Sequence, residues 1–284
     1  MNIAKIAVLG SGTMGSGIAQ VAAQSGYEIV LIDVEKSLVD RAITGIGKAL
    51  QKAVDKGKMT AEDKEQVLAR MKGSITYDDC KEVDLVIEAI IENMDIKKDV
   101  YKKLDELCPV HTILASNTSS LSITEMAAAT KRADKIVGMH FFNPAQVMKL
   151  VEVIPGLDTS QETLTVVTEL SKKMGKVPVN AKESPGFIVN RILVPMINEA
   201  VIALGEGIGT KEEIDTAMKL GAGMPMGPLA LADLVGIDVV LAVAEVFHKE
   251  FADSKYRPAL LLKQMVRAGH LGLKTGRGFY NYKK

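Results

Sequence analysis

The sequence predicts a Rossmann-type, doubly wound and mostly parallel α/β sheet followed by an all-α domain. Three observations carry this. Short apolar runs alternate with helix-forming stretches through the first two-thirds of the chain, a Gly-x-Gly-x-x-Gly loop follows the first run, and strand signals stop beyond Lys182.

IAKIAVL (3–9) reads as a buried parallel strand, because it is short, apolar and runs into glycine. GSGTMGSGIAQVAAQSG then sets small and apolar residues at helical spacing as far as Gly26, and EIVLID (28–33) is the next strand. Strand, helix and strand within about thirty residues make a βαβ unit with a right-handed crossover. Ser37 to Lys72 is polar and helix-forming, a helical insertion of two helices broken near Gly57. VDLVIEAI (83–90), TILAS (112–116) and KIVGMH (135–140) are further strands, and KLVEVI (149–154) and KVPVN (176–180) complete the set. ESPGFIVNRILVPMINEAVIALGEG reads as a long helix with Ser184 as N-cap and Pro185 at the first helical position. Helical patterns broken by clusters such as GAGMPMGP (221–228) follow it. The expected division is residues 1–183 for the dinucleotide-binding domain and 184–284 for the helical one.

Bulk properties narrow the function. A chain of 284 residues with 47% hydrophobic and 25% charged residues has the composition of a soluble globular protein. Its formal net charge of zero provides no global field for nucleic acid or an anionic membrane. The most apolar long segment, 229–247, carries Asp233, Asp238 and Glu245, which argues against a membrane span. Cys80 and Cys108 have no metal-ligand spacing, so no metal site is expected and both read as free thiols. With no signal-peptide anatomy in MNIAKIAVLG, the expectation is a cytoplasmic protein.

Gly10, Gly12 and Gly15 form the loop after the first strand. The first permits a tight turn, the second lets backbone approach a pyrophosphate, and the third lets the helix pack on the strand. The helix that opens there offers unpaired N–H groups and partial positive charge to phosphates. Asp33, at the end of the second strand, can accept hydrogen bonds from the adenosine ribose and would repel a 2′-phosphate, which selects NAD over NADP. An incidental glycine turn with an incidental Asp is the alternative.

One stretch, GMHFFNPAQVMKLVEV (138–153), holds one of only four histidines and a glutamate among valines. His140 falls at the carboxyl end of a strand, where ligands bind in open α/β sheets. Oxidation of a secondary alcohol needs a base, and imidazole has a suitable unperturbed pKa. Glu152 lies in a strand whose two faces are mostly apolar, where a carboxylate is costly unless paired. A turn at FFNPAQV would bring the two strands together as a base and its orienting carboxylate. Alternatively, His140 caps a strand, Glu152 pairs with a lysine, and Asn143-Pro144 is an ordinary turn.

With SNTSSLSITEMA, GMHFFNPAQVMKLVEVI, SPGFIVNRILVPMINEA, DTAMKLGAGMPMGPLALADLVG and LKTGRGFYNY, the chain resembles the L-3-hydroxyacyl-CoA dehydrogenase family from Lys5 to Tyr282, nearest its bacterial short-chain members. The resemblance implies NAD-dependent oxidation of a short-chain 3-hydroxyacyl-CoA in fatty-acid and butanoate metabolism. It implies that His140 is the base and Glu152 its partner, and that Ser119 and Asn190, also catalytic, hydrogen-bond the substrate or hold the catalytic water and thioester carbonyl. It further implies cofactor contacts at Thr13, Met14, Glu92, Lys97, Asn117, Ser119, Asn143 and Lys274. Read without it, Ser119 is a loop hydroxyl able to cap the next helix, Asn190 a polar group a turn and a half into an apolar helix, and Lys97 and Lys274 surface charges.

Lys48, Lys52 and Lys56 fall at helical spacing on one face. Such a stripe is ordinarily a solvated surface, but a coenzyme A thioester as substrate makes Lys52 and Lys56 candidate phosphate contacts. The helical domain, rich in Met and other apolar residues for its size, is expected to bury surface in a homodimer. Two rivals remain: a lysine-based β-hydroxyacid dehydrogenase, and a non-catalytic NAD-binding protein of the same fold such as a lens crystallin of this family.

Overall fold

The computed structural model describes residues 3–282. Eight strands form one sheet: β1 (Lys5–Leu9), β2 (Glu28–Ile32), β3 (Met71–Ser74), β4 (Leu85–Glu88), β5 (Ile113–Ser116), β6 (Ile136–Phe141), β7 (Leu150–Pro155) and β8 (Val177–Asn180). Their order is β3-β2-β1-β4-β5-β6-β7-β8. Neighbours are parallel except β6 and β7, which are antiparallel. Chain order reverses across β1, so the ends of β1 and β4 flank a topological switch point, where such sheets bind dinucleotides.

Helices α1 (Thr13–Gln24), α2 (Lys36–Asp55), α3 (Ala61–Ala69), α4 (Met94–Leu107), α5 (Ile123–Ala127) and α6 (Gln161–Lys173) belong to the same unit, Met1–Glu183. The inner strands are buried throughout, which is why they read as continuous apolar runs rather than alternations. Ile6, Val8, Ile29, Leu31 and Leu85 pack with Ile18 and Ala22 of α1 in the main core.

The second unit, Ser184–Lys284, is helical: α7 (Val189–Gly205), α8 (Lys211–Gly221), α9 (Pro228–Val235), α10 (Ile237–Phe251) and α11 (Leu260–Arg267). The apolar segment 229–247 is divided between α9 and α10 at Gly236, whose φ of 105° ends a right-handed helix. Among the described residues, no helix is long and apolar enough to cross a membrane. Two buried aspartates order this unit. Asp215 accepts from Leu229 N and Ala230 N at the start of α9, and Asp233 accepts from Phe279 N, Tyr280 N and Tyr282 Oη.

Two sequence expectations are corrected. The helical insertion stops at Ala69, and Met71–Ser74 pairs with β2 as an edge strand. MKGS is short, half-exposed and without alternation, so only pairing with β2 makes it a strand. The long helix starts at Val189, and Ser184 is not its N-cap. Gly186 and Phe187 have φ of 76° and 50°, in the left-handed region, so the chain from Pro185 cannot be helical. Phe247 packs over Gly186, where a Cβ would meet its ring at 2.3 Å. Asn190 therefore sits in the first turn of α7, half-buried, rather than a turn and a half in.

Candidate active site

The glycine loop joins β1 to α1. Gly10 has φ of 90°, and a Cβ there would lie 2.5 Å from the Ala89 carbonyl oxygen. A Cβ on Gly15 would lie 1.7 Å from the Gly10 carbonyl oxygen and 3.6 Å from Val8, so the close packing of α1 on β1 needs glycine. Gly12 differs: nothing lies within 4 Å of its missing Cβ. It is the N-cap of α1, with no side-chain cap and no acidic residue in the first turn. Thr13 is exposed beside it, while Met14 is half-buried against the core. An open, uncapped helix N-terminus floored by glycine fits a pyrophosphate.

Asp33 follows β2 and faces this loop. Its Oδ2 accepts from both the N–H and the hydroxyl of Ser11, each at 2.6 Å, and its Oδ1 from Val34 N at 2.7 Å. Burial pushes its pKa up, but the bonds from Ser11 and Val34 outweigh this and hold the carboxyl below its ordinary value. Asp33 thus orients the glycine loop.

β6 and β7 bring His140 and Glu152 together as direct register partners. Nδ1 of His140 lies 2.8 Å from Oε2 of Glu152, and both side chains are buried. β6 runs one residue past His140, through Phe141, and the Phe142 ring tilts against the imidazole with centroids 4.5 Å apart. The Phe141 N–H donates to Oδ1 of Asn117 at 2.8 Å, which ties the loop after β5 to the end of β6. Asn143 is exposed in the turn that follows, and its peptide bond to Pro144 is cis.

A second constellation lies beyond β4 and β5. Oε1 of Glu92 accepts from Thr118 Oγ1 at 2.5 Å and from Ser119 N at 2.9 Å, and its Oε2 lies 3.3 Å from Nζ of Lys97. Burial opposes ionisation of Glu92, yet Lys97, Thr118 and Ser119 together hold its pKa below the ordinary value. Lys97 is not the surface charge its sequence context suggested: it is 1% exposed and also bonds Glu88 at 2.6 Å. Ser119 does not cap the next helix either, because Ser122 accepts from Glu125 N at the start of α5.

Several positioning groups were not singled out from sequence. Glu88 is one, though the signal was present: it is a lone carboxylate ending an apolar strand, as Glu152 is a lone carboxylate within one. Lys176 is another. Its ammonium, buried under the turn after His140, donates to the carbonyls of Ala145 and, at 2.9 Å, Met148. Gly17 of α1 faces the same turn, with Ala145 Cβ 3.0 Å from where its own Cβ would be. No local pattern could have announced either contact.

Lys48, Lys52 and Lys56 are exposed along and just beyond α2. In the helical unit, Lys274 lies 2.6 Å from Oδ2 of Asp238. Cys80 and Cys108 are buried free thiols. Among the described residues, no group of three or more His, Cys, Asp or Glu could hold a metal ion.

The chain matches the family described as 3-hydroxyacyl-CoA dehydrogenase, NAD binding domain, over residues 5–184, and the corresponding C-terminal domain over 186–282. A 3-hydroxybutyryl-CoA dehydrogenase of Clostridioides difficile is 56% identical over 280 residues, covering 99% of this chain and 100% of the relative. The human mitochondrial hydroxyacyl-coenzyme A dehydrogenase is 46% identical, covering 98% and 91%. The crystal structure of (S)-3-hydroxybutyryl-CoA dehydrogenase from Ralstonia eutropha superposes with a TM-score of 0.97 at 53% identity, covering 100% of both chains.

Proposed function

The chain belongs to the 3-hydroxyacyl-CoA dehydrogenase family, and from that premise we propose how its residues carry out the reaction. Its activity is that of an NAD-dependent 3-hydroxybutyryl-CoA dehydrogenase, which interconverts 3-hydroxybutyryl-CoA and acetoacetyl-CoA. The (S) enantiomer is the expected substrate, the one for which the Ralstonia eutropha enzyme is named.

The observation that carries the mechanism is the 2.8 Å contact between His140 and Glu152. A carboxylate at Nδ1 holds the proton there and commits Nε2 to the substrate. Bound NAD supplies the hydride acceptor for C3. Nε2 takes the 3-hydroxyl proton, and Glu152 stabilises the imidazolium that results. In the reducing direction the imidazolium returns that proton to the carbonyl oxygen. The Ser119 hydroxyl is assigned to the substrate oxygen, its backbone fixed by Glu92. Asn190 is assigned to the substrate on its motif alone.

Gly10, Gly12, Thr13, Met14 and Gly15 would hold the pyrophosphate, Asp33 the adenosine ribose, and Glu92, Asn117 and Asn143 the nicotinamide half. Lys97 acts through Glu92, since its ammonium is enclosed by carboxylates. Lys274 is assigned to NAD, and Lys52 and Lys56 to the phosphates of coenzyme A, on the family resemblance. The exposed Ile192, Ile208, Leu220 and Leu260 of the helical unit suit a homodimer, and two unbridged thiols suit a reducing, cytoplasmic setting.

Loss of NADH absorbance at 340 nm with acetoacetyl-CoA tests the reading. Turnover with that thioester is the expected result. No turnover with it, but oxidation of a free 3-hydroxy acid, would replace the reading with the β-hydroxyacid dehydrogenase alternative. NADH binding without turnover of either would leave the non-catalytic one.

A further inference from the structure

Resting on the reading that the chain binds NAD, we infer that the charge relay Glu88–Lys97–Glu92 favours the oxidised over the reduced cofactor by leaving one negative charge beside the nicotinamide. Glu88 is 0% exposed; its Oε1 accepts from Lys97 Nζ at 2.6 Å and Ile90 N at 2.8 Å, and its Oε2 from Ser116 Oγ at 2.7 Å. Both oxygens act only as acceptors, the pattern of an ionised carboxylate. Lys97 is thereby committed to Glu88 at short range and reaches Glu92 only at 3.3 Å. Two carboxylates and one ammonium leave a net charge of minus one. It resides on Glu92, whose side chain is 37% exposed while those of Glu88 and Lys97 are enclosed.

The sheet order puts that charge where it matters. The pyrophosphate site is the loop after β1, and Asp33 after β2 fixes the adenosine half on that side. The other half must then cross the ends of β4 and β5 to meet His140 at the end of β6. Glu92 follows β4 and binds the backbone of Ser119 after β5. An oxidised nicotinamide ring carries a positive charge and a reduced ring none. A fixed carboxylate on partly dry protein therefore attracts one form and not the other.

Kd values for NAD⁺ and NADH, measured by calorimetry at fixed ionic strength, test this without turnover. Glu92→Gln and Glu88→Gln each remove one negative charge and should raise the ratio Kd(NAD⁺)/Kd(NADH) by roughly fivefold to thirtyfold. Lys97→Met adds to the negative charge and should move the ratio the opposite way. A merely structural role would weaken both forms together and leave the ratio unmoved. If Glu92→Gln binds both forms with a ratio within about twofold of wild type, the inference is overturned. The half-exposed Glu92 makes that variant decisive even where the buried ones fail to fold. Failure of wild-type protein to bind either form would instead overturn the NAD reading itself, and the inference with it.

Discussion

His140 and Glu152 face each other as register partners across β6 and β7, the antiparallel pair in a sheet whose other pairings are parallel. Strand geometry, rather than a flexible loop, therefore sets the distance between the two side chains. His140→Gln should lower kcat by about 10²- to 10⁴-fold, the usual contribution of a positioned acid-base group. Glu152→Gln should lower kcat and alter its pH profile, because an amide holds Nδ1 in a different hydrogen-bond pattern. Unaltered kinetics and pH dependence would remove Glu152 from the pair.

Gly12 and Gly15 should separate cofactor binding from folding. Gly15→Ala drives a methyl into the Gly10 carbonyl and should lower Tm, with a cost of about 1–3 kcal/mol for overpacking. Gly12→Ala meets no protein atom, and its φ of −65° suits alanine. Its Tm should match wild type while its Kd for NAD rises at least about tenfold, since the methyl occupies the pyrophosphate approach. Thermal melts and calorimetry on the same two variants decide this.

Acid should weaken the dinucleotide-binding unit through Asp33 and Glu92. Both carboxyls have folded pKa values held below their unfolded ones. Their contribution is fully present above about pH 5 and is lost as pH falls through the lower folded values. Urea unfolding between about pH 5 and 2.5 should show the Glu92→Gln variant losing less stability over that range than wild type.

The turn after His140 should depend on Lys176. Lys176→Met leaves the Ala145 and Met148 carbonyls without their donor while relieving a buried ammonium, a net cost of about 1–3 kcal/mol. Faster hydrogen exchange at the Val147 and Met148 amides, which bond to the Pro144 carbonyl, is the local sign.

In the helical unit, Asp233→Ala removes the acceptor for Phe279 N, Tyr280 N and Tyr282 Oη. Stranding donors near a buried site should cost about 2–4 kcal/mol. Limited proteolysis should then cut the segment after Gly272 first.

Much of the fold and site is legible because its signals are local. The inner strands announce themselves as apolar runs, since both faces of a parallel sheet are covered. The glycine loop is legible because a tight turn and a close helix each exclude a Cβ. Asp33, His140 and Glu152 stand out by their places at strand ends or among apolar neighbours. The edge strand Met71–Ser74 does not, because its conformation comes from pairing with β2 rather than from its own residues. The start of α7 is hidden because Ser184-Pro185 is a sound helix start by itself, whereas in the folded chain Gly186 and Phe187 are left-handed, with Phe247 packed over Gly186.

By itself, then, the sequence determined the α/β class, the order of the inner strands' signals, the helical second unit and the residue types of the site. Tertiary structure alone decided that His140 meets Glu152, that Lys97 lies buried between Glu88 and Glu92, and that Lys176 braces the turn carrying Asn143. The physical reason is range. Periodicity and turn chemistry act over a few residues, whereas the cost of burying a charge is met by partners that only the folded sheet brings within hydrogen-bond distance.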